Sequence, residues 1–547
     1  MTSKQVNSIE EAKLNYLCIY NNELDLKEDE TNKDLILYYG IEQDIRQDLT
    51  KSEEKEEGEV TVTEEELITE ELNSDSEEEK EEDAIVRGYS KDYDTILRHI
   101  GLAQAMLNFS NNFSTEEKVH TVHSKKSRLI ILNPEGDIYF LLSINLGIRI
   151  RKSETNSSLT VVDYMDKELN DLSLKTMLNK AYLGFKLGHG SITNLLDKKG
   201  VKKTQYYLTE YFDHYLSRGF SLNSLTIENN LNGIQLFSTS KSTFLYLQNQ
   251  LKNIQLENNS IFHLSFFYNQ KLIWSGAHMP IDISNLMLNV IKQLDNKINQ
   301  VKDDDKKNRN SFFSLITPYL FNNTSTNTET EDIDITFQPK FIKEWDPKSA
   351  INGKLRTQQK QTIIKTIYIN QQKLYSIIYQ IYPKGYLILY FKNRQDININ
   401  RLNQSISTHL NEQLFNFIKK DSQHQLQLKK NIKSNPFNYC YFNGLNLAIE
   451  SNLIDLPVQV HCLLLELQND LLLLNNNNNN DSNNNNKEIL LRTISTNHFP
   501  PLWIGVKYNL DFQLFFIINK DNNNLMEVEE HIQTISNFHF TNLFLND

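Results

Sequence analysis

Bulky apolar residues and short polar turns alternate in three similar places along the chain. Each place reads as strand, turn, strand, because aromatic and β-branched residues lie on both sides of a polar reversal. The three predicted hairpins cover residues 128–145, 261–276 and 502–519. Predicted helices precede or follow each hairpin. This repetition predicts three copies of a small α/β module rather than one large enzyme domain.

The first copy has the clearest element order. Two short strands at 14–20 and 35–39 come before an amphipathic helix at 95–109, whose apolar residues recur mostly at spacings of three and four. A polar strand-like run at 118–126 leads into the hairpin, and two helices are predicted after it, at 162–185 and 202–216. The predicted order is therefore β-β-α-β-β-β-α-α.

Two further copies follow the same general order. The second is predicted from strands at 222–228 and 234–237, a helix at 242–254, the middle hairpin and a closing helix at 283–301. The third is predicted from strands at 362–369, 373–379 and 386–392, a helix at 399–419 and later strands from 436 onward. We therefore predict domains at 1–220, 221–301 and 341–547, with a linker at 302–340.

The net charge of −13 originates in one segment of the sequence. Residues 51–83 contain 17 Asp or Glu and 3 Lys, a local charge of −14, so the other residues together carry +1. Such a run has too few apolar residues to fold and repels itself, which predicts a disordered insertion in the first domain. The alternative is an acidic motif that docks on a basic partner. An Asn-rich run at 475–486 predicts a second insertion, in the third domain.

The predicted element order is the layout of a longin domain, and specific segments resemble the Ccz family of vacuolar-fusion proteins. They occur in family order: LNYLCIYN, IGLAQAMLNFSNNFS, VHSKKSRLIILNPEGDIYFLLSIN, FFYNQKLIWSG, FNYCYFNGLNLA, LFFIINKDNNNLMEVEEH and TNLFLND. The resemblance implies an α/β fold (α+β layers) with three longin-like domains, each a mixed, mostly antiparallel sheet flanked by helices. The two low-complexity insertions depart from the family pattern.

The function implied by this resemblance is that of a subunit without its own active site. Ccz proteins form a heterodimer with a Mon longin subunit, and the pair is a guanine-nucleotide exchange factor for the late-endosomal Rab seven-type GTPase. The resemblance also implies an optional third regulatory subunit and peripheral recruitment of a cytoplasmic complex to late-endosomal or vacuolar membranes. The alternative interpretation is a non-catalytic longin adaptor in vesicle trafficking.

Candidate chemistry in the sequence is sparse. Neither GxxxxGK[ST] nor GxGxxG occurs, so nucleotide binding by this chain has no support. Cys18, Cys440 and Cys462 form no CxxC pair, which predicts a reducing compartment and argues against zinc. His120 and His123 are three residues apart and would lie on opposite faces of a strand. We therefore predict no catalytic residue, no cofactor and no metal site.

The predicted partner surface lies on the helix IGLAQAMLNFSNNF and the strand VHSKKSR, the segments that the family resemblance assigns to Rab and partner contacts. Within the helix, Ile100, Ala103, Met106 and Leu107 are predicted to face the sheet. The candidate contact residues are Gly101, Gln104, Asn108, Phe109, Phe113, Lys125, Lys126 and Arg128. The last three form a basic cluster that is either a solvated hairpin edge or an electrostatic contact with a GTPase or membrane.

Overall fold

The computed structural model describes most of the predicted elements. The described residues are 6–22, 35–40, 93–112, 121–152, 160–222, 225–276, 279–280, 282–292, 294–295, 339–342, 364–432, 437–453, 456–477, 488–496, 499–508 and 512–519. The acidic segment 51–83, Phe113, His120 and most of the Asn-rich run therefore lie outside the described residues.

The first sheet is five-stranded and has the order β3-β2-β6-β5-β4. Its strands are β2 (Lys13–Asn21), β3 (Ile36–Gly40), β4 (Thr121–His123), β5 (Ser127–Glu135) and β6 (Ile138–Asn145), and all neighbouring pairs are antiparallel. The predicted hairpin at 128–145 is confirmed as β5 and β6. Helix α1 (Tyr93–Asn111) lies between β3 and β4 in sequence, as predicted.

Helices cover both faces of this sheet because its central strands are apolar on both faces. Tyr16, Cys18 and Tyr20 of β2 share a core with α1 on one face. On the other face, Phe140 of β6 and Tyr38 of β3 contact Phe212. Phe212 belongs to α3 (Ile192–His214), which follows α2 (Asp171–His189). The sheet is therefore the middle layer of a three-layer module.

A small three-stranded sheet extends the central β2–β6 ladder of the first sheet. It has the order β1-β7-β8, with β1 (Val6–Glu10), β7 (Ile148–Lys152) and β8 (Thr160–Tyr164). The predicted helix at 162–185 is wrong at its start, because the β-branched residues Val161 and Val162 pair with Arg151 and Ile150 in this sheet. The helix begins later, where Asn170 caps it by accepting a hydrogen bond from the Ser173 amide.

The second large sheet joins strands that were predicted to belong to two different modules. Its order is β10-β9-β14-β13-β11, and β12 also pairs with β13. The strands are β9 (Ile261–Tyr268), β10 (Lys271–Ser275), β11 (Lys340–Phe341), β12 (Lys365–Ile369), β13 (Gln372–Tyr382) and β14 (Gly385–Phe391). The hairpin at 261–276 is confirmed, with Asn269 and Gln270 at positive φ in its turn.

The pairing of β14 corrects the predicted assignment of strands to modules. All seven residues of β14 are buried, so the strand needs neighbours along both edges as well as cover on both faces. It pairs with β13 on one edge and with β9 on the other, for example Leu387 opposite Phe266. The strands at 365–391 therefore complete the sheet of the middle hairpin, and the predicted linker 302–340 lies within the sequence span of that sheet.

Two elements predicted in the second and third modules differ in the structure. The helix predicted at 242–254 is confirmed as α5 (Lys241–Glu257), and residues 282–292 form α6. The single helix predicted at 399–419 is two helices, α7 (Ile399–His409) and α8 (Glu412–Ile432), because the Asn411 side chain accepts from the Leu414 amide and starts a new helix. The strand predicted at 222–228 is wrong, since its end begins the short helix α4 (Ile227–Leu231), capped by Thr226.

The third large sheet has the order β16-β15-β19-β18-β17, which repeats the strand order of the first sheet. Its strands are β15 (Phe437–Asn443), β16 (Ile449–Ser451), β17 (Glu488–Thr496), β18 (Phe499–Tyr508) and β19 (Phe512–Asn519). Helix α9 (Val458–Asn477) lies between β16 and β17 in sequence. The hairpin predicted at 502–519 is confirmed by the pairing of β18 with β19.

The chain divides into two compact units. The first comprises Met1–Asn232, Phe437–Phe442 and Ser451–Asn522, and it contains the first sheet, the small sheet and most of the third sheet. The second comprises Gly233–Pro436, Asn443–Glu450 and Asn523–Asp547, and it contains the six-stranded sheet with α5 to α8. Among the helices in the described part of the chain, none has the length and apolar content needed to cross a lipid bilayer.

Glu135, at the end of β5, ties the first hairpin to the N-terminus of α3. Its carboxylate accepts hydrogen bonds from the Ile192 amide at 3.1 Å, from the Thr193 amide at 3.0 Å and from the Thr193 hydroxyl at 3.0 Å. The Tyr182 hydroxyl of α2 also donates to it. A carboxylate at a helix N-terminus satisfies free amides and interacts favourably with the helix dipole. One side chain thus fixes the hairpin against two helices.

We predict that Glu135→Ala lowers the free energy of unfolding by about 1–3 kcal/mol, because several buried donors lose their acceptor. Glu135→Gln should have a smaller effect, since the amide oxygen still accepts. Urea unfolding of the full chain measures both. Asp137→Asn, in the same hairpin turn, is the control and should change stability by less than about 0.5 kcal/mol. Equal midpoints for Glu135→Ala and Asp137→Asn would contradict the assigned role.

Candidate partner-binding face of helix α1

The inner face of α1 is fixed to the first sheet by a short apolar stripe. Ile96, Ile100 and Ala103 are buried, at the spacings of four and three that one face of a helix requires. They pack with side chains of β2, β3, β5 and β6. The prediction that Ile100 and Ala103 face the sheet is confirmed. Leu107 packs against the same core, and Met106 is half-buried.

A stack of three rings adds a second attachment of α1 to the sheet. The His99 ring lies parallel to Tyr16 of β2, with centroids 4.2 Å apart, and is also stacked with Tyr39 of β3 at 6.3 Å. The Tyr39 hydroxyl and His99 Nδ1 are 3.4 Å apart, within hydrogen-bonding distance. Burial lowers the pKa of His99 below its usual value. The neutral imidazole is therefore the form that this packing favours.

The outer face of α1 presents apolar and small residues to solvent. Leu102 is 51% exposed and Phe109 is 66% exposed, and Gly101, Ala105 and Asn108 are exposed around them. A Cβ atom built on Gly101 would meet nothing within 4 Å, so this position is open space. We call these five residues the outer face. Large apolar side chains exposed together on one helix face are typical of surfaces that bind other proteins.

Three of the predicted contact residues, Gly101, Asn108 and Phe109, are exposed on the outer face. Their contact with a partner stays a prediction. Leu102, the second large apolar residue of this face, was not among the predicted contact residues. Two residues after the buried Ile100, it lies about 200° further around the helix, so a helical-wheel projection places it on the exposed side.

Gln104 lies at the margin of the outer face. It is half-buried, and its side-chain amide donates to the side-chain oxygen of Asn22, at the end of β2, at 2.8 Å. This bond links the middle of α1 to the residue that directly follows β2.

The predicted basic cluster is split by the structure. Lys125 and Lys126 are exposed in the turn between β4 and β5, but Arg128 is only 4% exposed and does not belong to that surface. The Arg128 guanidinium pairs with Asp166 and Asp171, and it donates to the Leu169 carbonyl at 2.7 Å and to the Asp166 carbonyl at 3.0 Å. An arginine fork matched by this many acceptors is a structural anchor between β5 and the start of α2.

His123 joins the same anchor from β4. Its Nε2 lies 2.7 Å from Oδ2 of Asp171, the carboxylate that also binds Arg128. The neighbouring turn is held by Ser124, whose hydroxyl oxygen accepts from the Ser127 amide at 2.9 Å. Lys125 and Lys126 are therefore presented by a well-defined turn. Within the described residues, no group of three or more His, Cys, Asp or Glu side chains is placed to hold a metal ion.

Comparisons with known proteins match the first module and most of the chain. Residues 68–190 match a family model described as the first longin domain of INTU, CCZ1 and HPS4. This range includes α1, β4 to β8 and α2. The longin fold predicted for this module is confirmed. Because α1 lies within the match, the outer face belongs to a longin domain.

Relatives named vacuolar fusion protein CCZ1 homolog align along most of their length. The relative from Nematostella vectensis is 23% identical over 465 residues, 84% of this chain and 92% of its own. Those from Xenopus laevis and Dictyostelium discoideum are each 22% identical, over 82% and 81% of this chain and 90% and 89% of theirs. The resemblance to Ccz proteins that was predicted from the sequence is confirmed by these alignments.

We predict that Arg128→Ala destabilises the first unit by about 1–3 kcal/mol, because two partly exposed carboxylates and two carbonyls lose a shared partner. Arg128→Lys should recover only part of this loss, since an ammonium group cannot reproduce the bidentate fork. Thermal or urea unfolding of the full chain gives the comparison. Lys126→Ala, an exposed cation two residues away, is the matched control. An Arg128→Ala protein as stable as the Lys126→Ala protein would contradict the anchor role.

The His99 stack predicts a pH-dependent stability of the first unit. Its folded-state pKa lies below the unfolded value of about 6.5, so the folded state binds fewer protons and loses stability as the pH falls through about 6.5. His99→Phe keeps a ring in the stack and removes the titration. Stability measured from pH 7.5 to 5 should therefore fall more steeply for the native protein than for His99→Phe. Parallel pH profiles for the two proteins would contradict this account.

Proposed function

From the similarity to CCZ1 homologues over most of both chains, we propose that this protein acts in vacuolar fusion as one subunit of a guanine-nucleotide exchange factor. The partner subunit is a Mon-type longin protein, and the substrate is a late-endosomal Rab seven-type GTPase. The observation that carries this proposal is the outer face of α1, an exposed apolar surface on a longin domain.

The chemistry of exchange requires surfaces rather than reactive side chains. An exchange factor accelerates nucleotide release by binding the nucleotide-free GTPase more tightly than the loaded form. A thousandfold acceleration corresponds to about 4 kcal/mol of that difference. Opening the switch loops of the GTPase removes protein ligands from Mg²⁺ and the phosphates, and GDP leaves. This role agrees with a chain whose candidate surface consists of apolar and amide side chains.

The outer face has the composition expected of a protein-binding centre. Phe109 and Leu102 supply two large apolar anchors, and Gly101 and Ala105 leave room between them for partner side chains. In the proposed complex, the first longin domains of the two subunits pair and their central helices form the platform for the Rab switch regions. Lys125 and Lys126 contribute electrostatic attraction at the edge of that platform, which mainly speeds association.

The remaining parts of the proposal concern assembly. We assign peripheral recruitment to late-endosomal or vacuolar membranes to the complex, and a third regulatory subunit to surfaces outside the first domain. The outer face serves equally well as a docking surface in an adaptor that binds a GTPase without accelerating exchange. A release assay separates the two functions, because an adaptor leaves the GDP dissociation rate unchanged.

We predict that Gly101→Arg in the co-expressed heterodimer reduces Rab GDP release about tenfold or more, because a long side chain then projects from the centre of the outer face. The free space at Gly101 means that the fold of the chain should tolerate this change. Leu102→Ser combined with Phe109→Ser should give a similar loss. The rate of fluorescent GDP release and co-purification of the Mon subunit are the two measurements.

Matched controls lie on α5, in the second compact unit. Asn249→Arg adds the same side chain at another exposed helix position, and Leu256→Ser removes a leucine that is 72% exposed. Neither should change GDP release. Lys125→Glu with Lys126→Glu should slow exchange more strongly at low salt than at high salt. Full activity of all the outer-face variants would place the Rab contact elsewhere, and absence of any acceleration by the native heterodimer would favour the adaptor.

A further inference from the structure

Helix α9 of the third sheet occupies the same place in its module as α1 does in the first. Both helices follow the second strand of a five-stranded sheet, and the two sheets have the same strand order. Both helices also carry an apolar stripe with successive spacings of four, three and four. The stripe consists of Ile96, Ile100, Ala103 and Leu107 in α1 and of Val460, Leu464, Leu467 and Leu471 in α9. Position 465 of α9 therefore corresponds to position 101 of α1.

The two helices differ at the centre of the side that faces away from their sheets. In α1 this position is Gly101, and it borders open space. Its counterpart Leu465 is only 1% exposed. Leu465 lies about 130° around the helix from the apolar stripe, so the sheet beneath the stripe does not cover it. Within the same compact unit, α9 also contacts α4 and the 3-10 turn Asp166–Glu168. The outer side of α9 is thus covered by other parts of its own chain.

Helix α4 is connected to α2 and α9 through one buried asparagine. The Thr176 hydroxyl of α2 donates to the side-chain oxygen of Asn230 at 3.1 Å. The side-chain amide of Asn230 in turn donates to the side-chain oxygen of Gln468 in α9. Asn230 and Gln468 are both buried. Loss of the asparagine side chain would therefore leave polar atoms without partners in a place that water does not easily reach.

Two further hydrogen bonds hold α4 on either side of this asparagine. The Lys180 ammonium of α2 donates to the Asn229 carbonyl at 2.6 Å. The Ser451 hydroxyl of β16 donates to the Glu228 carboxylate at 2.8 Å. Three successive residues of α4 thus bind the first and the third module.

We propose that α4 is an intramolecular ligand that keeps the outer side of α9 closed, so that of these two equivalent helices only α1 is open to another protein. Helix α4 is capped by Thr226 and buries Ile227 as its apolar anchor. If α4 moved away, Leu465 and its neighbours would form an apolar surface at the position of the outer face of α1. Such a surface favours association with another protein, including a second copy of the chain. The proposal does not depend on the exchange activity.

The native cysteines report on this contact. The Cys462 thiol of α9 donates to the Glu168 carbonyl at 3.5 Å, and burial raises the pKa of this thiol to about 11. It should therefore react slowly with iodoacetamide near pH 8. Cys18 of β2 and Cys440 of β15 are fully buried. Alkylation rates measured at each cysteine by mass spectrometry therefore distinguish local opening at α9 from unfolding of the whole unit.

Asn230→Ala in the full chain should accelerate alkylation of Cys462 about tenfold, because the central polar contact between α4 and α9 is lost. Cys18 and Cys440 should react at unchanged rates. Asn229→Ala is the matched control: this residue is exposed, and its carbonyl, which Lys180 binds, is retained. An unchanged rate at Cys462 in Asn230→Ala would overturn the proposal. Equal acceleration at all three cysteines would also overturn it, because the contact would then have no local opening.

A milder variant and a second readout test the contact independently. Thr176→Val removes one donor to Asn230 and leaves the bond between Asn230 and Gln468 in place. Hydrogen exchange should become faster in α4 and α9 of this variant and stay unchanged in α1. Faster exchange in α2 alone would contradict the role of α4.

Sedimentation velocity tests whether the closed contact restricts association. Asn230→Ala should associate with a second copy of the chain more strongly than Asn229→Ala does, since α1 is the same in both proteins. Opening at Cys462 without any gain in association would overturn the claim that α4 closes a protein-binding surface.

Discussion

The packing of α1 on the first sheet is the constraint on which the candidate surface depends. Ile96, Ile100 and Ala103 can all be buried only when one side of the helix faces β2 and β5. With 3.6 residues per turn, this orientation leaves Leu102 and Phe109 on the opposite side. The stack of His99 on Tyr16 fixes the same orientation through a second contact. Because the inner face of α1 is buried against the sheet, the residues of the outer face are necessarily directed away from it.

Charged side chains hold the rest of the first module around this sheet. Glu135 binds the N-terminus of α3, and Arg128 binds the residues that lead into α2. Both lie on β5, so one strand connects the sheet with the helices on the face opposite α1. Burial and the hydrogen bond to Glu135 raise the pKa of Tyr182, which keeps its hydroxyl a donor. These contacts stabilise the module without occupying the outer face.

The spacing of apolar residues predicted the hairpins and α1 well, because this spacing depends only on residues that are close together in sequence. The pairing of β14 with β9 joins residues more than a hundred positions apart and has no local signature. Two local features were also predicted incorrectly from the hydrophobic pattern. The cap at Asn411 divides a predicted helix, and Val161 and Val162 form a strand where a helix was predicted. In both cases a side chain or cross-strand contact outweighed helix propensity.

The site was predictable only in part for similar reasons. Gly101, Asn108 and Phe109 were identified from the helix pattern together with the family resemblance. Arg128 looked like a surface cation because it follows Lys125 and Lys126 in sequence, whereas its acceptors come from residues 166–171. No sequence spacing links those residues. In the structure, the predicted basic cluster is therefore reduced to Lys125 and Lys126 in the β4–β5 turn. Leu102 joins the apolar residues of the outer face.

Hydroxyl-radical footprinting of the proposed heterodimer tests the central claim most directly, because it reports the solvent exposure of individual side chains. The account predicts that nucleotide-free Rab strongly slows oxidation of Leu102 and Phe109, whereas the exposed Leu256 of α5 reacts at an unchanged rate. Unchanged oxidation of Leu102 and Phe109 on addition of a GTPase that demonstrably binds the heterodimer would contradict it.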